Sequence, residues 1–241
     1  MFYALSENES YFADKVSLYV ALAPITKITN EESTAIRWAS MNYDLLDHTI
    51  KTLGMYEMLG SNWLVDTVTR EFCTILEEFC NLLQKLFDNK HPDTDDPDRF
   101  AVYMGHSPNG TPAQSLMLYA QNMREDRYQV YAPDYDHWFN IGEHHHTDLI
   151  PLENIKEVPV AMFVGDSDIL GDAVDAEYTK EAIGDAVIHY SLIHGGHLTF
   201  LVGKDMTYWT TDVMNLLAQY HPISDKHHPQ IPALPLFSFL H

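Results

Sequence analysis

The sequence predicts an α/β fold built on a parallel sheet, and three stretches carry that expectation. Val158 to Val164 is an apolar run of the length of a fully buried strand, and Val187 to Ile193 is a second apolar run that carries little but Val, Ile, Tyr and Leu. Between them, Asp172 to Ile183 has helical spacing. Earlier in the chain, Val16 to Ile25 (VSLYVALAPI) reads as a buried strand ending at Pro24. Continuous apolar strands joined through a helix imply a parallel sheet covered on both faces.

The remaining segments fit around that sheet. Residues 1–14 read as turns of an amphipathic helix with Phe2, Leu5 and Phe12 facing inward. Residues 29–148 fit an insertion between sheet strands, with helical patterns over Glu31 to Leu53, Leu64 to Asp88 and Pro112 to Met123. Leu64, Val68, Phe72, Leu76 and Phe79 are spaced for one apolar face, which suits ordinary core and a lipid-facing lid alike. Cys73 and Cys80 fall in this stretch. Seven residues of straight helix span ~10 Å, against ~4.4–6.8 Å between bridged Cα atoms, so a disulfide requires a break in the helix. A bridge and two buried thiols both stay open. His91 to Asp98 reads as an exposed acidic loop. The tract Gly142 to Asp148 holds His144, His145 and His146, whose adjacent side chains diverge, and a polar loop is expected there rather than a metal site. Ile150 to Val158 leads back into the sheet. Lys204 to Tyr220 forms a closing helix, Pro222 ends it, and the Pro- and His-rich Ser224 to His241 reads as a loose tail.

Composition narrows the function classes. A chain of 241 residues with 46% hydrophobic and 12% aromatic content has ample material for one large core. A formal net charge of −21 argues against nucleic-acid binding, which needs a basic footprint. Two cysteines are too few for a disulfide scaffold. No run approaches the ~20 apolar residues of a membrane span. Met1 to Leu5 runs directly into Ser6-Glu7-Asn8-Glu9, too short and too acidic for a signal peptide. The sequons at Asn8 and Asn109 are glycosylation candidates that matter only in a secreted protein.

Chemistry concentrates after the two later strands. The first ends in Gly165-Asp166-Ser167-Asp168, the second in His194-Gly195-Gly196-His197. Parallel sheets place their active groups beyond the carboxyl ends of the strands. An acid after one strand and a histidine after the next form the back half of a hydrolytic triad, with His197 as general base and Asp168 fixing its tautomer. The order serine, acid, histidine is that of the α/β-hydrolases. The competing reading makes Asp168 a helix cap and His197 an ordinary loop residue. The glycines before His197 permit the tight backbone that a positioned loop histidine needs.

These turns resemble those of the acid lipases, the gastric and lysosomal family of α/β-hydrolases. Gly165-Asp166-Ser167-Asp168-Ile169-Leu170 is similar to the family's G-x-x-D-x-L turn, and His197-Leu198-Thr199-Phe200 to its N-H-x-D-F turn, departing at Gly196 (usually Asn) and Thr199 (usually Asp). Ala21-Leu22-Ala23-Pro24 resembles an A-L-A-P strand end that follows the helix after the family's G-H-S-x-G nucleophile elbow. His106-Ser107-Pro108-Asn109-Gly110-Thr111-Pro112 resembles its cap motif H-x-P-A-G-T-S, and Gln114, Met117, Gln121 and Tyr128 to Tyr131 continue the match. The resemblance runs to about Pro222. It implies the last three parallel strands of an α/β-hydrolase with an inserted helical cap: core over 1–28, cap over 29–148, core over 149–222 and a tail over 223–241. By this alignment the chain starts just after the nucleophile, so serine and oxyanion hole are expected to be missing, as in an N-terminally truncated lipase, and its first strand to present an aggregation-prone edge.

The implied activity of the longer parent is hydrolysis of lipid esters, triacylglycerol or sterol ester, at a lipid–water interface by a Ser-His-Asp acyl-enzyme route. His197 and Asp168 are its implied catalytic residues, and no metal or organic cofactor is implied. The family also implies a secreted or lysosomal setting and a cap disulfide, here Cys73 and Cys80 at a slightly narrower spacing. Two alternatives are kept: a non-catalytic hydrolase-like fragment that binds a lipid or partner, and an esterase using Ser107. Ser107 has the right chain order before Asp168 and His197. Against it, the second glycine of G-x-S-x-G arrives one residue late, and Pro108 has no N–H for an oxyanion hole.

Overall fold

The computed structural model describes residues 1–58, 67, 71, 75, 77–107, 110–133, 135 and 147–221. Within them the chain is mixed α/β. Its centre is a three-stranded parallel sheet, β1 (Tyr19–Leu22), β4 (Val160–Gly165) and β5 (Val187–Ile193), in the order β1-β4-β5. β4 lies in the middle, with Tyr19 opposite Val160 on one side and Phe163 opposite Ser191 on the other.

The continuous apolar character of β4 follows from that position. Val160, Met162 and Val164 point to one face, where they pack with Phe2, Leu5, Leu152, Ile155, Ala176 and Ile183. Ala161 and Phe163 point to the other, against Ala23, Phe200, Tyr208 and Val213. With apolar groups on both faces, an alternating polar pattern has no place in this strand. α8 (Ala173–Ile183) covers the first face. It starts where the Asp172 carboxylate accepts from the Val174 N–H at 2.7 Å, and it stops at Gly184, whose φ of +71° only glycine adopts freely.

The expected N-terminal helix is split. α1 (Phe2–Glu7) and α2 (Glu9–Ala13) meet at Asn8, which is exposed and sits at φ −146°, ψ 53°, outside the helical region. Phe2 and Leu5 are buried as expected, and Phe12 packs partly buried against the same core.

The long connection from β1 to β4 carries α3 (Thr34–Met41), α4 (Tyr43–Leu53), α5 (Glu77–Phe87), α6 (Pro97–Met104) and α7 (Ala113–Glu125). The single helix expected over residues 31–53 breaks at Asn42, which leaves the helical region at φ −105°, ψ 29° while its side-chain N–H at 2.7 Å and its backbone N–H at 3.1 Å both donate to the Trp38 carbonyl. β2 (Glu57–Met58) and β3 (Thr111–Pro112) pair antiparallel, a feature the apolar pattern did not announce. Leu64, Val68, Phe72, Leu76, Cys73, Asn109, the histidines 144–146 and the tail from Pro222 onward lie outside the described residues. Cys80 is buried and disulfide-bonded.

The acidic stretch from His91 corrects the reading of an exposed loop. His91, Asp93 and Asp98 are exposed, but Asp95 is only 3% exposed. It is drawn inward because Gln84 and Asn89 each donate a side-chain N–H to its Oδ2 at 3.0 Å.

The closing segment runs through α9 (Thr199–Val202), a π-helical turn at Trp209–Val213 and α10 (Met214–Tyr220). The core makes a direct stability prediction. Phe163 is fully buried, with its ring 5.7 Å from that of Tyr208 and 4.9 Å from that of His189. Phe163→Ala should cost about 3–5 kcal/mol in urea unfolding. A loss under about 1 kcal/mol would mean that β4 is not the centre of the core.

Candidate active site

The sheet hydrogen bonding continues past the strand ends and fastens two loops together. Beyond β4, the Asp166 N–H donates to the Ile193 carbonyl at 2.9 Å, and the Ser167 N–H to the Gly195 carbonyl at 3.0 Å. The turn carrying Asp168 and the loop carrying His197 are thereby held side by side. Glycine is required in that loop: a Cβ on Gly196 would run into the Asn89 side chain, and one on Gly195 into Thr199. The Gly196 N–H donates to Thr199 Oγ1 at 2.8 Å, so the threonine supplies the oxygen acceptor that closes the turn.

The expected pair meets. His197 Nδ1 lies 3.0 Å from Asp168 Oδ2. Asp168 Oδ1 accepts from the N–H groups of Leu170 at 2.8 Å and Gly171 at 2.7 Å. One oxygen is thus satisfied by the backbone while the other is left for the imidazole. The Asp168 side chain has no exposed surface, whereas 25% of the His197 side chain remains exposed. Burial pulls down the proton affinity of His197, but the hydrogen bond and charge of Asp168, with the charge of Asp88, outweigh it and raise the pKa above its ordinary value. A buried carboxylate facing one ring nitrogen holds the proton there and frees the other nitrogen for base chemistry.

A second aspartate–histidine pair lies beside the first. His194 Nδ1 is 2.9 Å from Asp166 Oδ2, but the two side chains are 70% and 41% exposed. Water weakens such a contact, so the inner pair is the stronger candidate for chemistry.

His197 also lines a cavity of about 550 Å³ walled by Met1, Phe2, the edge of β1, Tyr119 and Tyr128. Ser107 does not line it, and among the described residues Ser107 makes no hydrogen bond to His197. Among the described residues no group of three or more His, Cys, Asp or Glu is arranged to hold a metal ion. Asp88, Asn89 and Asp95 were missed by sequence reasoning. They sit buried against the His197 loop, and their only local signal is a polar pair, Asp88-Asn89, closing an amphipathic helix.

The raised His197 affinity fixes the sign of a pH effect. Its pairing stabilises the fold fully below the unfolded imidazole pKa of about 6.5, and the contribution is lost as pH rises through the higher folded value. Asp168→Asn keeps an oxygen acceptor for Leu170 and Gly171 but removes the charge. It should lower the unfolding free energy by about 1.5–3 kcal/mol near pH 6, and by progressively less in urea titrations at higher pH. A difference that does not change with pH would contradict an ionic pair.

No protein-family model matches the chain. Among curated proteins it is 27% identical to human Lipase member K over 217 residues, 85% of this chain and 51% of that protein. It is 27% identical to the human lysosomal acid lipase/cholesteryl ester hydrolase, covering 86% of this chain and 52% of the relative. Against the gastric triacylglycerol lipase of Bos taurus the identity is 23%, over 80% and 48% of the two chains. The chain spans about half the length of these relatives. It is therefore acid lipase-like, related to gastric and lysosomal acid lipases over most of its own length.

Proposed function

We propose that this chain carries the acid and the base of a lipid-ester hydrolase that works through a serine acyl-enzyme. The observation that carries the reading is the buried Asp168 carboxylate, held by two backbone N–H groups and paired with a His197 that lines a cavity. In this reading His197 takes the serine hydroxyl proton as the oxygen attacks the ester carbonyl. It then returns that proton to the departing alkoxide, and Asp168 stabilises the imidazolium in between. Water repeats the cycle on the acyl-enzyme with His197 as base again. The parent fold is an α/β-hydrolase whose cap is formed by residues 29–148.

The nucleophile in this proposal is a serine from outside residues 1–241, in a longer protein containing this chain. Two observations support it. The relatives are about twice the length matched, and Met1 and Phe2 wall the same cavity as His197. The lipid-ester substrate class rests on the relatives named for triacylglycerol and cholesteryl esters. It is also supported by an apolar cavity of about 390 Å³ among Ile25, Ile28, Ile36, Leu46, Ile50, Leu116, Met117 and Leu170. Leu170 joins that cavity to the site, since its N–H bonds Asp168. A secreted or lysosomal setting agrees with a disulfide-bonded Cys80, because disulfides persist in oxidising compartments. Among the described residues no helix is long and apolar enough to cross a membrane.

The test is hydrolysis of emulsified triacylglycerol and cholesteryl ester. The chain alone should be inactive, and a longer protein that supplies the elbow serine should be active. In the longer protein, Asp168→Asn should cost on the order of 10⁴-fold in kcat and His197→Ala at least as much. Activity of the chain alone that disappears in Ser107→Ala would move the nucleophile to Ser107 and overturn the reading.

A further inference from the structure

One residue of the β1–β4 connection touches both halves of the pair. Asp88 closes the turn after α5 and is 4% exposed. Its carbonyl accepts from the N–H of Ile169, next to the acid, at 3.2 Å, and from the N–H of His197 itself at 3.5 Å. Its carboxylate Oδ1 accepts from the N–H of Leu198 at 2.8 Å. The following residue, Asn89, forms a bridge with Asp168, and the Lys90 N–H donates to the Ser167 carbonyl at 3.1 Å. Asp88 Oδ2 is buried and receives no hydrogen bond from any described residue.

We propose that Asp88 is a positioning residue of the site: its carbonyl and carboxylate together clamp the His197 loop to the Asp168 turn, and its charge is a second acidic influence on the imidazole. This rests on the reading of Asp168 and His197 as acid and base. A lone carboxylate buried this way has few reasons to persist on stability grounds, since an unmade hydrogen bond inside a protein is costly. Its placement makes sense if the backbone it fastens must not move. The inner pair is only useful when the ring nitrogen stays within hydrogen-bonding range of Asp168, and a drift of an ångström would undo that.

The electrostatic surroundings are consistent with the role. Burial raises the Asp88 carboxyl to about 7, opposed by the Leu198 N–H and by His197, and assisted by the neighbouring charges of Asp95 and Asp168. Asp95 is itself raised by burial, against hydrogen bonds from Thr199, Asn89 and Gln84 and the charge of Lys204. Both Asp168 and Asp88 thus raise the proton affinity of His197. Ionisation of Asp88 then favours the protonated His197 ring near neutrality, rather than from the acidic pH where an ordinary aspartate titrates.

The test needs no esterase activity and uses the chain itself. The His197 ring signal is assigned by its disappearance in His197→Gln and titrated by NMR. Asp88→Asn keeps an oxygen for the Leu198 N–H but removes the charge, and should lower the proton affinity of His197 by about threefold to tenfold. Asp88→Ala should do the same and also speed hydrogen exchange at the Leu198 amide by about tenfold relative to Asp88→Asn. An unshifted His197 titration in Asp88→Asn overturns the proposal, as does unchanged exchange at Leu198 in Asp88→Ala. Asp168→Asn serves as the reference. If it moves the His197 titration while the Asp88 variants do not, only the role of Asp88 fails. If Asp168→Asn leaves the titration unmoved, the pairing fails, and this proposal with it.

Discussion

A carboxylate with no exposed surface cannot keep its charge without donors around it, and the end of the sheet is arranged to supply them to Asp168. Two come from the backbone just beyond it, the N–H groups of Leu170 and Gly171, and both go to Oδ1. That leaves Oδ2 for a single partner, the imidazole of His197. The partner can arrive only because β5 runs parallel beside β4 and both strands end at the same level of the sheet. The sheet order, the buried middle strand and the glycines of the His197 loop all serve this one contact.

The neighbouring pair shows why burial decides which contact can do chemistry. Asp166 and His194 have almost the same separation as Asp168 and His197, and they come from the same two loops. In water their attraction is screened and their geometry is free to drift. Inside, the same distance is shielded from water, which is the condition for holding one tautomer. The buried segment around Asp88 hydrogen-bonds both of these loops from the side of the β1–β4 connection.

Much of this was legible in the residues. β4 was read within two residues, because a strand buried on both faces leaves an uninterrupted apolar run. β5 was read at its observed limits, but it is the edge of the described sheet and only half-buried, with Ile188 and Leu192 exposed, so the expectation that it is covered on both faces is corrected. Asp168 and His197 were legible because they follow those strands directly. Less could be read where long-range partners decide. Asp95 looked like one more charge in a solvated loop, yet Gln84 and Asn89, eleven and six residues earlier, draw it inside through side-chain hydrogen bonds that hydrophobic periodicity does not record. Asn42 and Asn8 break helices whose apolar spacing runs straight through them, because periodicity records which face is buried and not where the backbone changes direction. Asp88 carries no motif at all. Its partners are the N–H groups of residues 169, 197 and 198, which lie 81, 109 and 110 residues away in sequence.

The central claim is that Asp168 holds the His197 ring in one tautomer, ready to act as a base. The most direct measurement is the ¹⁵N NMR spectrum of the His197 ring above its titration point. With the proton fixed on Nδ1 by Asp168, Nε2 should give the shift of an unprotonated ring nitrogen, and Nδ1 should carry a strongly deshielded proton that is lost in Asp168→Asn. A neutral ring protonated on Nε2, with no deshielded proton, would show that His197 is an ordinary loop histidine and would contradict the claim.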